Sequence, residues 1–270
     1  MKLFEIKDIN GPRPPDENFP YSEDRVTRNR DEEQYYPGLA TKRQMTRIKK
    51  AEDLPNFKYM GSGVNAFVYK KDDPGNMDRV ERISTPADAT AYFLNKIADT
   101  PSVQNNPFLP RVLNTSRKIS VHQHTLEPLQ NFFSIPIISN ADLMRGLFLR
   151  YFKGEGKDWI ESVRNAKDTE TIEKIEQEHF TYISGGHIGV GYAEEMLEIL
   201  DIAIRTGDCT HVNDPQLCKA VQFITDITAE ISNNNNNIIS DLHPGNVMWR
   251  VNGMNIQLVI IDPIHDGRDS

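Results

Sequence analysis

Cysteine is scarce in this 270-residue chain, which contains only Cys209 and Cys218. The two residues do not form a Cys-x-x-Cys pair, so their spacing predicts neither a disulfide framework nor a zinc knuckle. We expect two reduced thiols, as is usual for a protein of the cytoplasm.

Long apolar runs and an excess of basic charge are also missing. No apolar stretch approaches the roughly 20 residues that cross a bilayer, and the first residues lack the apolar run of a secretory signal. Lys and Arg number 31 against 39 Asp and Glu, a net charge of -8, which argues against a nucleic-acid-binding face. We therefore expect a cytoplasmic protein that engages neither membranes nor nucleic acids.

The residues that are present suit a globular protein. Hydrophobic residues make up 38% and charged residues 26%, and the length suits two lobes that share a cleft. Residues 1–55 show little apolar periodicity, so we predict a partly ordered N-terminal extension there. This extension is either a solvated arm or a segment that docks on a partner or on the chain itself.

Residues 56–129 are predicted to form a small β-rich lobe. Short apolar runs, broken by Gly, Pro and Asp, indicate five strands. They are expected at Phe57–Met60, Phe67–Lys71, Arg79–Ile83, Arg117–Ser120 and Val121–Leu126. Between the third and fourth strands, Pro86 is expected to open the single helix in its first turn.

Residues 130–270 are predicted to form a mainly helical lobe that ends in a β-hairpin. Helical patterns cover Thr169–Phe180 with a cap at Asp168, Ala193–Ile204 closed by Gly207, and Leu217–Ile231. The run Asn233–Asn237 is expected to be a surface turn. In the hairpin, Asn252-Gly253 is a strong two-residue turn signal. The hairpin therefore brings Asn246, at its entrance, and Asp262, at its exit, to the same end.

Four features, in chain order, carry the chemistry of phosphoryl transfer. The first is the glycine-rich segment Gly61-Ser-Gly63-Val-Asn-Ala66-Phe-Val68, between the first two strands. Its backbone can approach a phosphate closely, so we expect Gly61–Ala66 to cover the nucleotide. The second is Arg82, which strand alternation places on the same face as Val80. Such a cation beneath a glycine loop suits a phosphate group.

The third feature is the loop from Asp241 to Asn246, and the fourth is Asp262 near the end of the sequence. Asp241 can accept the proton of an attacking hydroxyl, and Asn246 can ligate Mg²⁺ through its side-chain oxygen. Asp262 can bind the metal that bridges the phosphates of ATP, because Mg²⁺ prefers hard oxygen ligands.

In this order, the features resemble those of the eukaryotic-like protein kinase superfamily over residues from about 56 to 264. The loop Asp241-Leu-His-Pro-Gly-Asn246 and the pair Asp262-Pro263 are most similar to those of compact bacteriophage serine/threonine kinases. The loop also resembles that of aminoglycoside phosphotransferases and of UbiB-type atypical kinases.

The resemblance implies an α+β, bilobal protein-kinase-like fold with a truncated helical C-lobe, and the cofactors ATP and Mg²⁺. It implies that Asp241, Asn246 and Arg82 are catalytic, and that Asn246 and Asp262 bind the metal. The implied nucleotide-binding residues are Gly61, Ser62, Gly63, Val64, Val68, Val80, Arg82, and the hinge residues Glu127 and Leu129.

The first half of the site departs from the kinase pattern in three ways. Ala66 stands where the third glycine of the loop is expected. Arg82 replaces a lysine, and its planar guanidinium imposes a different phosphate geometry. The following helix offers no glutamate, so either Asp88 or Asn95 must pair with Arg82, or nothing does.

The second half departs as well. Ile239-Ser240 replaces the His-Arg that precedes the catalytic aspartate, which removes a receptor for a phosphorylated activation loop. His243 stands two residues after Asp241, where protein kinases carry a lysine. The few residues after Asp262 leave no room for an activation segment or for peptide-docking helices.

Three functional hypotheses follow. The first is an ATP-dependent phosphotransferase whose acceptor is a protein serine or threonine hydroxyl, acting in the cytoplasm of a host cell if the chain is phage-encoded. The second is a pseudokinase that binds nucleotide or a regulatory protein partner without turnover, as Arg82 and the short C-lobe suggest. The third is a small-molecule kinase of the aminoglycoside-phosphotransferase type, which His243 favours.

Overall fold

The computed structural model describes residues 57–62, 66–71, 79–84, 88–118, 121–153, 158–181, 184–232 and 238–266. The chain divides into two compact units, Met1–Leu129 and Gln130–Ser270, called here the N-terminal and C-terminal units. The predicted N-terminal extension lies outside the described residues.

The N-terminal unit is built on an antiparallel sheet of five strands in the order β1-β2-β3-β5-β4. The strands are β1 (Phe57–Ser62), β2 (Ala66–Lys71), β3 (Arg79–Ser84), β4 (Val112–Lys118) and β5 (Val121–Leu126). One helix, α1 (Ala89–Asp99), contacts β4 and β5. Its buried face includes Phe93, Leu94 and Ile97.

Helix α1 begins later than its sequence predicts. Pro86 lies outside the described residues, and the helix starts at Ala89 because Asp88 is its N-cap. The Asp88 carboxylate accepts a hydrogen bond from the Thr90 N–H at 3.2 Å, which satisfies one of the donors that a helix start leaves open. The N-cap therefore sets the start of the helix.

Strand β4 begins at Val112, five positions before the predicted start at Arg117. It lies at the edge of the sheet, and a shift in its pairing with β5 falls between Val112 and Asn114. Leu113 is 46% exposed. An edge strand with polar residues and a bulge has no clean alternation of apolar side chains, so its pattern does not reveal it.

The C-terminal unit contains six helices and five strands among the described residues. The helices are α2 (Ile135–Ile138), α3 (Ala141–Tyr151), α4 (Asp158–Asn165), α5 (Thr169–Phe180), α6 (Ile188–Thr206) and α7 (Pro215–Ser232). The strands are β6 (Gln130–Asn131), β7 (Ile238–Ser240), β8 (Val247–Asn252), β9 (Asn255–Ile260) and β10 (Ile264–Asp266). No described helix combines the length and the apolar character that a membrane crossing requires.

The three predicted helices of this unit are confirmed. The Asp168 carboxylate caps α5 by accepting from the Thr171 N–H at 2.8 Å. Gly207 ends α6 in the left-handed conformation, at φ 71°, which glycine adopts without a Cβ clash. The predicted turn at Asn233–Asn237 lies outside the described residues.

A buried ionic network joins α3, α5 and α6. Arg145 donates two hydrogen bonds to the carboxylate of Glu176, at 2.5 and 2.7 Å, and the hydroxyl of Tyr192 donates a third at 2.5 Å. The Glu176 side chain has no solvent exposure, and a buried carboxylate requires such partners. The network fixes the three helices relative to one another.

The two cysteines form a disulfide, so the expectation of reduced thiols is wrong. Cys209 lies in the loop after α6 and Cys218 in the first turns of α7, and their Cα atoms are 5.6 Å apart. The loop folds back because the Cys209 carbonyl accepts from the Val212 N–H at 2.9 Å. That close return of the chain is a tertiary feature that Cys spacing does not reveal.

The predicted fold class is confirmed. The protein is α+β, with a small β-rich N-terminal unit and a mainly helical C-terminal unit.

Candidate functional site

The hairpin β8–β9 forms as predicted, but its turn lies one residue further along. Asn252 pairs with Asn255, so the two loop residues are Gly253 and Met254 rather than Asn252 and Gly253. Gly253 has a φ of 61°, which suits the first loop position of a hairpin turn of the primed type. At the other end, Val247 pairs with Ile260.

The entrance and exit of the hairpin lie side by side. The carbonyl of Asn246 accepts hydrogen bonds from the Ile261 N–H at 2.9 Å and the Asp262 N–H at 3.4 Å. The Asp241 N–H donates to the carbonyl of Pro263 at 3.0 Å. Strands β7 and β10 pair just beyond, with Ser240 opposite Ile264. The segments 241–246 and 261–263 are thus joined at both ends.

The side chain of Asn246 links this backbone frame to Asp241. Its Nδ2 donates to the Asp241 carbonyl at 2.6 Å and to Asp241 Oδ2 at 3.1 Å. Asn246 is 6% exposed, so these bonds hold the carboxamide in one orientation. Its Oδ1 accepts no hydrogen bond from the residues that the structure describes, and neither does Oδ1 of Asp241.

His243 occupies the turn between Asp241 and Asn246. Its Nδ1 accepts a hydrogen bond from the Gly245 N–H at 3.0 Å, and its carbonyl accepts from the Asn246 N–H at 2.8 Å. Its Nε2 lies 3.8 Å from Asp241 Oδ2. The imidazole is therefore part of the loop that presents the Asp241 carboxylate.

Asp201 is a supporting residue that the sequence did not indicate. It lies on α6, and its Oδ1 accepts a hydrogen bond from the hydroxyl of Ser240 at 2.9 Å. Its other oxygen pairs with Arg205 at 2.7 Å. The bond anchors the residue before Asp241 to the long helix, and only the tertiary packing of β7 on α6 reveals it.

In the N-terminal unit, Arg82 pairs with Asp88. The Arg82 guanidinium donates to Asp88 Oδ2, and the two side chains are only 12% and 6% exposed. Of the two partners that the sequence leaves open, Asp88 makes the contact. Asn95 instead contacts the rings of His122, at 3.3 Å, and His124, at 3.0 Å.

The environment of Arg82 includes a buried neutral histidine. His124 lies opposite Arg82 on β5 and has no exposed surface. Burial, and secondarily the charge of Arg82, lower the pKa of His124 to about 3. Burial and then the charge of Arg117 lower the pKa of His122 as well. The imidazole of His124 therefore adds no positive charge beside Arg82 near neutral pH.

The structure describes part of the glycine-rich segment that is predicted to cover the nucleotide. Gly61 and Ser62 lie in β1, where Gly61 pairs with Val68 and Ser62 with Phe67 of β2. Gly63 and Val64 lie outside the described residues. Strands β1 and β2 therefore flank the undescribed part of the predicted glycine-rich segment.

Three further predicted nucleotide-binding residues lie on or after the central strands. Val80 is partly exposed and pairs with Leu126 across β3 and β5. Glu127 and Leu129, also partly exposed, follow β5. Glu127 Oε1 accepts from the Arg111 N–H at 3.0 Å, which ties the hinge segment to the residue before β4.

The donor set of the C-terminal unit fits magnesium. Among the described residues, no group of three or more His, Cys, Asp or Glu side chains could hold a metal ion. Mg²⁺ needs no such cage, because it is commonly held by one or two protein oxygens together with waters and substrate phosphates. Asn246 Oδ1 and the Asp262 carboxylate supply oxygens of that kind.

The comparisons with known proteins identify no family. The chain matches no protein-family model, and no curated protein matches it. It is similar to a structure of a thermostable mutant of aminoglycoside phosphotransferase APH(4)-Ia in ternary complex with AMP-PNP and hygromycin B. That alignment has a TM-score of 0.29 and 11% identity, and covers 83% of this chain and 71% of the other.

A second structure of aminoglycoside phosphotransferase APH(4)-Ia gives a TM-score of 0.28 and 10% identity, with 84% of this chain and 74% of the other covered. Similarity at this level assigns neither a family nor a substrate. The chemistry of the site therefore rests on the residues of the chain itself.

Proposed function

We propose that this protein is an ATP-dependent phosphotransferase that moves the γ-phosphoryl group of ATP to a hydroxyl acceptor. The observation that carries the proposal is the joined pair of segments 241–246 and 261–263. It brings the backbone of Asp241, Asn246 and Asp262 together, and these residues carry a carboxylate, a carboxamide and a second carboxylate. A base and two metal ligands are the protein groups that such a transfer requires at its reacting end.

Each side chain has a separate task in this mechanism. Asp241 orients the acceptor hydroxyl and takes its proton on Oδ1, because Oδ2 is already engaged by Asn246. Asn246 Oδ1 and the Asp262 carboxylate would hold Mg²⁺, which neutralises phosphate charge when bound. Arg82, paired with Asp88, supplies positive charge for a phosphate group.

We propose a serine or threonine hydroxyl of a protein as the acceptor, in keeping with the resemblance to compact bacteriophage kinases. A protein substrate is then the partner, and the host cytoplasm the site of action if the chain is phage-encoded. A small-molecule hydroxyl is the second candidate, since His243 stands where protein kinases carry a lysine.

The test is transfer of label from γ-labelled ATP with Mg²⁺, in the presence of a cell lysate that contains both proteins and metabolites. The Asp241→Asn variant keeps an acceptor for the Asn246 amide but removes the base. Glu178→Gln, an exposed carboxylate on α5, is the matched control. We expect label transfer by the unmodified protein and by Glu178→Gln, and a loss on the order of 100-fold or more in Asp241→Asn.

The destination of the label decides between the acceptors. Labelled protein supports the protein hydroxyl, and label confined to metabolites supports the small-molecule acceptor. Binding of ATP without any Asp241-dependent transfer would instead make the protein a pseudokinase and refute the proposed activity.

A further inference from the structure

The position of His243 suggests a role beyond the formation of the turn between Asp241 and Asn246. Each ring nitrogen lies near another group of the loop: the Gly245 N–H is 3.0 Å from Nδ1, and the Asp241 carboxylate is 3.8 Å from Nε2. One contact is with the backbone of the turn. The other is with Asp241, which the proposed function assigns as the general base.

The Gly245 contact determines the form of the ring. A nitrogen that accepts a hydrogen bond carries no proton at that position, so the Gly245 contact makes Nδ1 the acceptor of the ring. The proton is therefore on Nε2, the nitrogen nearest Asp241. The backbone of the loop thus selects the tautomer whose N–H is on the side of the carboxylate.

We propose that His243 is a positioning residue for the base, and that its Nε2–H, together with Asn246, holds Oδ2 of Asp241 so that Oδ1 is presented to the acceptor hydroxyl. This inference rests on the proposed function. Asn246 Nδ2 contacts the same oxygen at 3.1 Å. Two donors on one oxygen fix the rotation of the carboxylate about its last bond, which a single donor does not.

The separation of 3.8 Å is longer than a hydrogen bond, so the contact in this structure is electrostatic. Hydrogen bonds of catalytic groups are often long in a protein without substrate and shorten when the substrate is bound. The two side chains are 42% and 39% exposed, which leaves them free to close this distance. His243 thus provides a ring N–H donor where protein kinases carry a lysine.

Two substitutions separate positioning of the base from a purely structural part in the turn. His243→Gln places an amide N–H near the position of Nε2 but removes the acceptor for Gly245. His243→Asn keeps an acceptor near the position of Nδ1 but has no atom that reaches Asp241. A positioning role predicts that the glutamine variant is the more active, and a turn-forming role predicts the reverse order.

The experiment measures kcat and KM for ATP in the transfer assay, with folding of both variants checked by circular dichroism. We expect kcat of His243→Asn to fall roughly tenfold or more, with KM nearly unchanged. A loss of this size corresponds to one hydrogen bond to a charged group. We expect His243→Gln to retain most of kcat. Equal activities, or a more active asparagine variant, overturn the proposal for His243 alone, whereas no transfer by the unmodified protein overturns the proposed function with it.

A second readout does not depend on turnover. Nitrogen-15 NMR of the labelled histidines near neutral pH, with His243 assigned from its variants, reports which ring nitrogen carries the proton. The proposal requires the Nε2–H tautomer for His243. The Nδ1–H tautomer overturns it.

Discussion

Replacing Asp88 separates two tasks that this residue combines. Its Oδ2 accepts from the Arg82 guanidinium, and its Oδ1 accepts from the Thr90 N–H at the start of α1. Asp88→Asn keeps a capping oxygen but loses the charge, and Asp88→Ala loses both. Because both ion-pair side chains are largely buried, loss of the charged acceptor is expected to cost about 1.5 to 3 kcal/mol of stability.

Loss of the cap adds to this cost only in the alanine variant. Replacing an Asp N-cap by Ala costs about 1 kcal/mol, whereas Asn caps as well as Asp does. Asp88→Ala should therefore be about 1 kcal/mol less stable than Asp88→Asn. Asp99→Asn, at the other end of α1, is the matched control. Its partner Arg117 is 37% exposed and Asp99 56%, and exposed pairs contribute at most about 1 kcal/mol.

Hydrogen exchange of the α1 amides measures the local stability of the helix, and urea unfolding measures the free energy of unfolding of the protein. Equal stability of the asparagine and alanine variants would refute the capping role. An asparagine variant as stable as the unmodified protein would refute the contribution of the ion pair. Because Asp88 holds the Arg82 guanidinium in place, we also expect both Asp88 variants to bind ATP more weakly.

Two further predictions concern the stability of each unit. The unfolded chain protonates His124 near its ordinary pKa of about 6.5, whereas the folded protein does so only near 3. The unfolded state therefore binds more protons between these values, and stability falls as pH falls. From about pH 7.5 to about pH 5, this residue should cost about 2 kcal/mol, a decrease absent in His124→Gln and measurable by urea unfolding at each pH. For the disulfide, replacing both Cys209 and Cys218 by serine should lower the unfolding free energy by about 3 kcal/mol, the chain-entropy cost of so short a loop.

Identical pH profiles for the unmodified protein and His124→Gln would show that the imidazole is not held neutral by burial. Equal stability of the unmodified protein and the double serine variant, or two titratable thiols in the protein as purified, would contradict the disulfide.

The sequence predicts the site best where the chain itself brings residues together. Asn246 and Asp262 flank a hairpin, and Gly253 indicates its turn in the sequence. Their adjacency therefore follows from the pairing of the two strands. The one-residue displacement of the turn does not disturb it, because the pairing of Val247 with Ile260 sets the end at which both residues lie.

Features that depend on tertiary contacts could not be predicted in the same way. The bond from Ser240 to Asp201 requires β7 to pack against α6, and the Cys209–Cys218 bond requires a loop to fold back on α7. The choice between Asp88 and Asn95 as the partner of Arg82 likewise required the structure, because it depends on the residue at which α1 begins.

The proposed activity requires Asn246 and Asp262 to bind a single metal ion together with nucleotide. Electron paramagnetic resonance of Mn²⁺, used in place of Mg²⁺, measures this binding with and without ATP. We expect ATP to tighten Mn²⁺ binding in the unmodified protein and in Glu178→Gln. We expect Asp262→Asn and Asn246→Ala each to weaken it by roughly tenfold or more, the loss of a metal ligand. Unchanged Mn²⁺ affinity in both site variants would show that these two residues do not bind the metal.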